Sequence, residues 1–168
     1  MKRKSSILIV SLLLIAGVVF GQNNPWKFDK AHSKIQFTTI HMKISEVTGQ
    51  FKKFSGKIMS EKEDFTDASI EVTIPVSSVD TDNEKRDKHL MGKDFFNEEK
   101  YPEIKFKSES LTKVKDDHYK LKGKLTIKDV TKTEEFDVKY MGTVNAMGAT
   151  RAGFKVTGTI DRFDYNVD

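Results

Sequence analysis

From about residue 33 onward, apolar and polar residues alternate along most of this chain. Ile70, Val72 and Ile74, for example, are separated by polar neighbours. A two-residue period is typical of strands with one buried and one solvated face. The alternation predicts seven long strands, at residues 33–41, 48–60, 67–76, 102–112, 117–128, 132–143 and 149–162, and a short strand near residues 26–28.

The predicted strands follow one another through short loops, as at Lys115-Asp116-Asp117. Short loops favour antiparallel pairing, and so do strands that have one solvated and one apolar face. A sheet of this size would expose long unpaired edges, and closure into a barrel removes them. We therefore expect an all-β, antiparallel β-barrel of about eight strands, which either fills with its own side chains or holds one slender apolar ligand.

One long interruption, from Asp82 to Phe106, separates the third and fourth long strands. Its first half is rich in helix formers, and Asp80 or Thr81 is placed to cap the helix N-terminus. An apolar cluster follows, formed by Leu90, Met91, Phe95 and Phe96. We expect a helical lid near residues 80–97 that lies across one end of the barrel.

The N-terminus has the pattern of a secretory signal peptide. Lys2, Arg3 and Lys4 precede an apolar run over residues 7–20, which Gly21 follows. The run is shorter than the about 20 apolar residues of a membrane span, and its flanks suit a secretory signal. We expect a leader over residues 1–21, cleavage after Gly21 and one domain over residues 22–168, periplasmic or secreted; an uncleaved N-terminal anchor is the alternative.

Composition excludes several function classes. The chain has 29 Lys and Arg against 25 Asp and Glu, and three of the basic residues lie in the expected leader, which leaves 26 against 25. A near-neutral mature protein lacks the basic surface of a nucleic-acid-binding protein, so no nucleic-acid partner is expected. There is no Cys, and the four His have no metal-site spacing, so no metal ion is expected.

Few residues are candidates for chemistry. Ser33 follows His32, but neighbouring strand residues point to opposite faces, so they make a poor nucleophile and base. His32 and His89 are expected to fix loops through hydrogen bonds. Arg86 and Asp87 are the best polar candidates, either as an anchor for the lid, which we favour, or with Arg86 near a mouth that receives a ligand head group.

A set of motifs spread over most of the chain resembles one family. The motifs are Trp26, Asp29, His32-Ser33 and Phe37; Gly49-x-Phe51-x-x-Phe54-x-Gly56; Arg86-Asp87-x-His89-Leu90; Asp94-Phe95-Phe96; Tyr101-Pro102-x-Ile104-x-Phe106-x-Ser108; and Gly123-x-Leu125-Thr126-Ile127. This order resembles the YceI-like family, whose members are secreted or periplasmic lipocalin-like antiparallel β-barrels that bind polyisoprenoid chains. Two features depart from the family: Asp129 stands where glycine is common, and the chain stops at Asp168 before the usual final strand, so we expect one open seam.

The resemblance implies a protein that sequesters or carries an isoprenoid lipid of the quinone or polyprenyl phosphate type. Such a ligand needs a lumen of aromatic and branched side chains with a few polar groups at one mouth. The side chains expected to line the lumen are Phe37, Phe51, Phe54, Val72, Ile74, Leu90, Phe95, Phe96, Phe106, Leu125, Phe154 and Val156. Arg86, Asp87 and His89 are expected to form the polar mouth or the lid anchor. A carrier of this kind is expected to contact a membrane transiently and to need no cofactor beyond the lipid.

Two other classes stay open on the sequence alone. One is an enzyme that acts on a small apolar substrate, with His89 as base and Asp87 as its orienting partner. The other is a filled barrel with a structural or interaction role. We expect no catalysis, because the sequence offers no stronger set of catalytic residues than this pair.

Overall fold

The computed structural model describes residues 7–16, 26–42, 44–146 and 148–168. Within them, eleven strands form one sheet. They are β1 (Ile7–Ala16), β2 (Lys27–Phe28), β3 (Lys34–His41), β4 (Ser45–Phe51), β5 (Ser55–Met59), β6 (Ser69–Pro75), β7 (Val79–Asp80), β8 (Glu103–Lys115), β9 (His118–Ile127), β10 (Val130–Ala146) and β11 (Ala149–Thr159). The helical elements described are α1 (Glu84–Met91) and two 3-10 turns, Val76–Ser78 and Arg162–Tyr165.

The sheet curls into a lipocalin-like barrel. Its strands follow the order β5-β6-β8-β9-β10-β11-β1-β3-β4-β7, with β2 beside β1, and all of these pairings are antiparallel. The backbone N–H of Trp26 donates to the carbonyl oxygen of Ile58 at 2.8 Å, which ties the segment before β2 to β5. The predicted fold class is therefore confirmed.

One predicted strand, over residues 48–60, is wrong as a single element. The structure divides it into β4 and β5, with a turn at residues 52–54. The backbone N–H of Lys52 donates to the carbonyl oxygen of Ser78 at 2.9 Å, outside the ladder that β4 makes with β3. Apolar residues on both sides of this turn keep the alternation apparently continuous, which conceals the break.

The predicted lid helix is present as α1, but its expected N-cap at Asp80 or Thr81 is wrong. Asp82 adopts φ 59°, which turns the chain after β7, and the helix begins only after Asn83. The Asn83 side-chain oxygen accepts a hydrogen bond from the backbone N–H of Arg86 at 3.0 Å. Residues 92–101 then form turns up to β8, so the lid consists of α1 and this segment.

The turn between β9 and β10 explains why Asp129 can replace glycine. Lys128 holds the left-handed position of this turn, with φ 55°, and Asp129 is not among the described residues with positive φ. A side chain at position 129 therefore meets no backbone restriction.

The edge of β11 is paired in the full chain. β1 pairs with β11 from Ile7 opposite Thr159 to Ala16 opposite Thr150, and with β3 on its other side. Among the described residues, the apolar run of the expected leader therefore occupies the edge of β11. The strand order instead ends at β5 and β7, which do not pair with each other in this part of the chain, so the expected open seam lies between these two strands. Cleavage after Gly21, a residue outside the described ones, stays a prediction, and it would remove β1 from the sheet.

Strand directions define two ends of the barrel. Ile7 pairs with both Thr159 and Thr38, so β3 and β11 finish at the same end, here called the upper end. The upper end also carries the lid, where the backbone N–H of Asp168 donates to the carbonyl oxygen of Asp94 at 3.3 Å. The β5–β6 loop and the β10–β11 hairpin lie at the opposite, lower end.

Candidate ligand cavity

The barrel encloses a cavity of about 490 Å³. This volume lies within the range of about 300–1,000 Å³ that small-molecule sites occupy. Its wall consists of inward-facing apolar side chains from the strands, together with side chains of the lid. The lumen is therefore hollow, which disagrees with the filled-barrel alternative.

Glycines in the wall help to keep the lumen open. Each receives an aromatic ring from a neighbouring strand, and a Cβ added at the glycine would lie 2.4 or 2.5 Å from that ring. The pairs are Gly49 with Phe37, Gly123 with Phe106, and Gly158 with Phe136. Because these rings lie over a neighbouring backbone, they cover the wall without extending across the lumen.

Phe65 closes the lower end of the cavity. It belongs to the β5–β6 loop, it is buried, and its φ is 59°. Its ring centroid lies 5.0 Å from that of Trp26, 5.0 Å from that of Phe154 and 5.8 Å from that of Tyr140. A left-handed φ is uncommon for a bulky residue, so we infer that this aromatic packing holds Phe65 in place.

The cavity opens at the upper end. Ile40, Met42 and His89 line it and are also exposed, whereas Phe65 at the lower end is buried. Arg86 and Arg162 add two guanidinium groups to the wall near the lid. The mouth therefore combines apolar side chains of the β3–β4 hairpin with cationic and imidazole groups on the side of the lid.

Arg86 and Asp87 anchor α1 to the residue that follows β7. The Asp87 carboxylate accepts hydrogen bonds from the backbone N–H of Thr81 at 2.9 Å and from its hydroxyl at 2.6 Å. Arg86 donates from Nε to the Thr81 hydroxyl at 2.7 Å and from Nη2 to the Thr81 carbonyl oxygen at 2.6 Å. Thr81 is buried, so these bonds fix the start of the lid.

Arg86 also reaches the cavity wall, whereas Asp87 does not. Of the two roles expected for Asp87, the polar mouth or the lid anchor, the structure agrees with the anchor, which we favour, because its carboxylate is turned toward Thr81. The sequence predicts that His89 fixes a loop through a hydrogen bond. In the structure, the His89 ring packs edge-on against the ring of Phe95, with centroids 4.8 Å apart. Residues two apart in a helix do not face each other, and Asp87 and His89 accordingly do not form the base and orienting pair of the enzyme alternative.

His32 fixes the loop before β3 as predicted. Its Nδ1 lies 2.6 Å from the Asp29 carboxylate, and the backbone N–H of Ala31 donates to the same carboxylate at 3.1 Å. Burial opposes ionisation of Asp29, but these hydrogen bonds outweigh burial and hold the pKa of its carboxyl below the usual value.

Eleven of the twelve side chains predicted to line the lumen lie at the cavity wall. The exception is Phe54, which packs edge-on against Phe28 with ring centroids 5.6 Å apart and is buried beside the cavity. Phe54 falls in the turn between β4 and β5, where strand alternation does not decide which way a side chain points. Ligand binding by the other eleven stays a prediction.

Sequence reasoning missed other lining residues. Several follow the same strand alternation and could have been included on that signal, namely Ile35, Ile70, Ile104, Leu121, Ile127, Phe136, Val138 and Ile160. Phe65 lies in a loop, so no periodic signal marks it. Arg162 is the last residue of the predicted strand 149–162, two positions after Ile160, but the structure ends β11 at Thr159 and places Arg162 in a 3-10 turn. The Arg162 guanidinium lies 4.4 Å from the ring centroid of Phe163 and 5.9 Å from that of Phe95, which holds it beside the lid.

In the part of the chain that the structure describes, no three His, Cys, Asp or Glu side chains are grouped to hold a metal ion. No helix among the described residues is long and apolar enough to cross a membrane.

Comparison with known proteins identifies the family. The model of the YceI-like domain matches residues 26–168. A UPF0312 protein of Staphylococcus aureus is 38% identical over 143 residues, which cover 84% of this chain and 81% of that protein. A UPF0312 protein of Photorhabdus laumondii is 36% identical over 157 residues, covering 93% and 81%. The crystal structure of the Campylobacter jejuni YceI protein matches with a TM-score of 0.69 at 34% identity, over 83% of this chain and 82% of that chain. The chain therefore belongs to the YceI-like domain family, as its motifs predict.

Proposed function

We propose that this protein binds an isoprenoid lipid in its lumen and carries or sequesters it in the periplasm or outside the cell. The observation that carries the proposal is the apolar cavity of about 490 Å³, closed at the lower end by Phe65 and open at the upper end. A cavity of this shape suits a ligand with an apolar tail and one polar end. Membership of the YceI-like family supports the same ligand class.

Burial of the tail can supply the binding free energy. Each buried CH₂ group contributes about 0.8 kcal/mol, whereas association costs about 4–15 kcal/mol. An isoprene unit carries several such groups, so a tail of a few units inside the lumen overcomes this cost. No covalent or catalytic step is needed, and we propose that the protein is a binding protein and not an enzyme.

The mouth suits a head group with acceptor oxygens. A guanidinium group has more N–H donors than the two that Arg86 uses on Thr81, and Arg162 donates one hydrogen bond to the Val167 carbonyl oxygen at 3.3 Å. Donors of this kind pair with carbonyl or phosphate oxygens. We therefore propose a quinone or a polyprenyl phosphate as the ligand type.

Titration with menaquinone-4 and with geranylgeranyl diphosphate tests the proposal. Trp26 is the single Trp and its ring contacts Phe65 at the closed end, so its fluorescence reports on a tail that reaches this end. Val156→Phe narrows the lumen, and Lys155→Phe places the same side chain on the exposed face of the same strand. We expect saturable binding by wild type and Lys155→Phe and at least tenfold weaker binding by Val156→Phe; folded wild-type protein that binds neither lipid would contradict the proposal.

A further inference from the structure

We propose that the tip of the β3–β4 hairpin, defined by Ile40, Met42 and Ile44, docks on a lipid bilayer and forms the entry for the lipid. This inference rests on the proposed function, because only a membrane-dissolved ligand requires such an entry.

The three apolar side chains of the tip are exposed, and two of them are unusually so. The exposed fraction is 53% for Ile40, 76% for Met42 and 88% for Ile44, and the last two are the highest values among the described large apolar residues. Thr38 is level with Thr159, the last residue of β11, so the following residues of β3 extend past the end of β11. The tip is therefore positioned to enter an adjoining bilayer before β11 reaches it.

The tip is continuous with the cavity. Ile40 and Met42 line the mouth while remaining exposed, and Val47 extends the apolar lining into β4. An apolar tail can consequently pass from the tip into the lumen along apolar side chains. This continuity separates the tip from exposed apolar residues elsewhere, since a scattered exposed apolar residue is ordinary on a protein surface.

The charge of this stretch also suits a bilayer. No acidic residue occurs between Asp29 and Glu46, whereas Lys30, Lys34 and Lys43 lie between them. Apolar side chains flanked by basic residues favour the interface of membranes that contain anionic lipids.

The lower end provides a matched control. Val144 on β10 is 58% exposed, and it lies next to the β10–β11 hairpin at the opposite end from the mouth. Val144 and Ile44 are both β-branched, and neither lines the cavity. A general affinity for lipid would involve both residues, whereas docking through the mouth involves Ile44 alone.

The first experiment measures docking without any lipid ligand. The chain has no Cys, so Ile44→Cys and Val144→Cys each provide one site for an environment-sensitive fluorophore. Vesicles of phosphatidylcholine with about 30% phosphatidylglycerol are then added to each labelled protein. These vesicles have the negative surface charge of an anionic leaflet. We expect a blue shift from the label at position 44 and none at position 144; equal shifts, or no shift at position 44, would overturn the proposal.

The second experiment measures transfer. The initial rate at which menaquinone-4 passes from these vesicles to the protein is compared for wild type, Ile44→Asp and Val144→Asp. We expect Ile44→Asp to lower this rate at least fivefold while Val144→Asp does not. Both variants should reach the wild-type occupancy at equilibrium with dilute ethanolic menaquinone-4 without vesicles, because neither residue lines the cavity. Equal transfer rates for the two variants would contradict docking through the tip. Failure of wild type to load from either source would contradict the proposed function, while the fluorophore experiment would still decide whether the tip docks.

Discussion

Replacing Gly158 by Ala tests whether the lumen is hollow. The new Cβ would lie 2.5 Å from Cδ1 and 3.1 Å from Cε1 of Phe136, and these ring atoms are its nearest neighbours. Carbon atoms in contact are about 3.5–4.0 Å apart, so the ring must move by about 1–1.5 Å. β11 is paired with β10 along this stretch, which restricts movement of the backbone, and the space open to the ring is the cavity that it lines.

The expected effects differ for stability and for binding. Overpacking costs about 1–3 kcal/mol in a filled core, and the adjoining lumen should keep the loss of unfolding free energy near about 1 kcal/mol. The displaced ring takes volume from the ligand equal to about one or two CH₂ groups, worth about 0.8–1.6 kcal/mol. The dissociation constant for menaquinone-4 should therefore rise about 4- to 15-fold.

Urea unfolding of ligand-free protein and titration with menaquinone-4 measure the two effects. Phe136→Leu combined with Gly158→Ala serves as the control, since a smaller side chain removes the clash and should make the two substitutions non-additive. A loss of more than about 3 kcal/mol from Gly158→Ala with unchanged affinity would show that the ring has no lumen to enter, and it would refute the reasoning.

Three further predictions concern the lid, its anchor and acid stability. Phe95→Ser with Phe96→Ser should weaken lipid retention more than it lowers the melting temperature, and equal retention would contradict a covering role for these rings. Thr81→Val removes the two hydrogen bonds that the Thr81 hydroxyl makes with Asp87 and Arg86, while the two bonds to the Thr81 backbone remain. It should lower the unfolding free energy by about 1–3 kcal/mol, which urea unfolding measures; a change below about 0.5 kcal/mol would contradict the anchor. The pKa of Asp29 is lowered in the folded state, so its stabilising contribution is complete above the unfolded value of 3.8 and is lost as pH falls through the folded value. Asp29→Asn should therefore show a smaller fall in melting temperature than wild type below about pH 4, and identical profiles would exclude this role.

Strand alternation was sufficient to predict the barrel, because each strand has one wet and one apolar face. It also placed part of the cavity wall, including Phe106 and Phe154, since inward-facing residues of a barrel line its lumen. Strand alternation failed as a predictor where the chain leaves the hydrogen-bonded ladder between strands. Phe54 lies in a turn, and the helix cap shifts to Asn83 because Asp82 turns the chain.

The hollow lumen was beyond prediction from pattern alone. It depends on where rings lie, and a pairing such as Gly123 with Phe106 involves two strands whose register the sequence does not state. The closed end depends on Phe65, which lies in a loop with a left-handed φ and is held by contacts distant in sequence. Periodicity carries no signal for either feature.

Native mass spectrometry of protein purified without detergent tests the central claim, that the lumen holds an isoprenoid lipid. Wild type and Lys155→Phe should carry an additional mass of several hundred daltons that organic extraction removes and that analysis of the extract identifies as an isoprenoid. Val156→Phe, which narrows the lumen, should carry little or none of this mass. A bound lipid present equally in all three proteins, or an extracted lipid without isoprene units, would contradict the account.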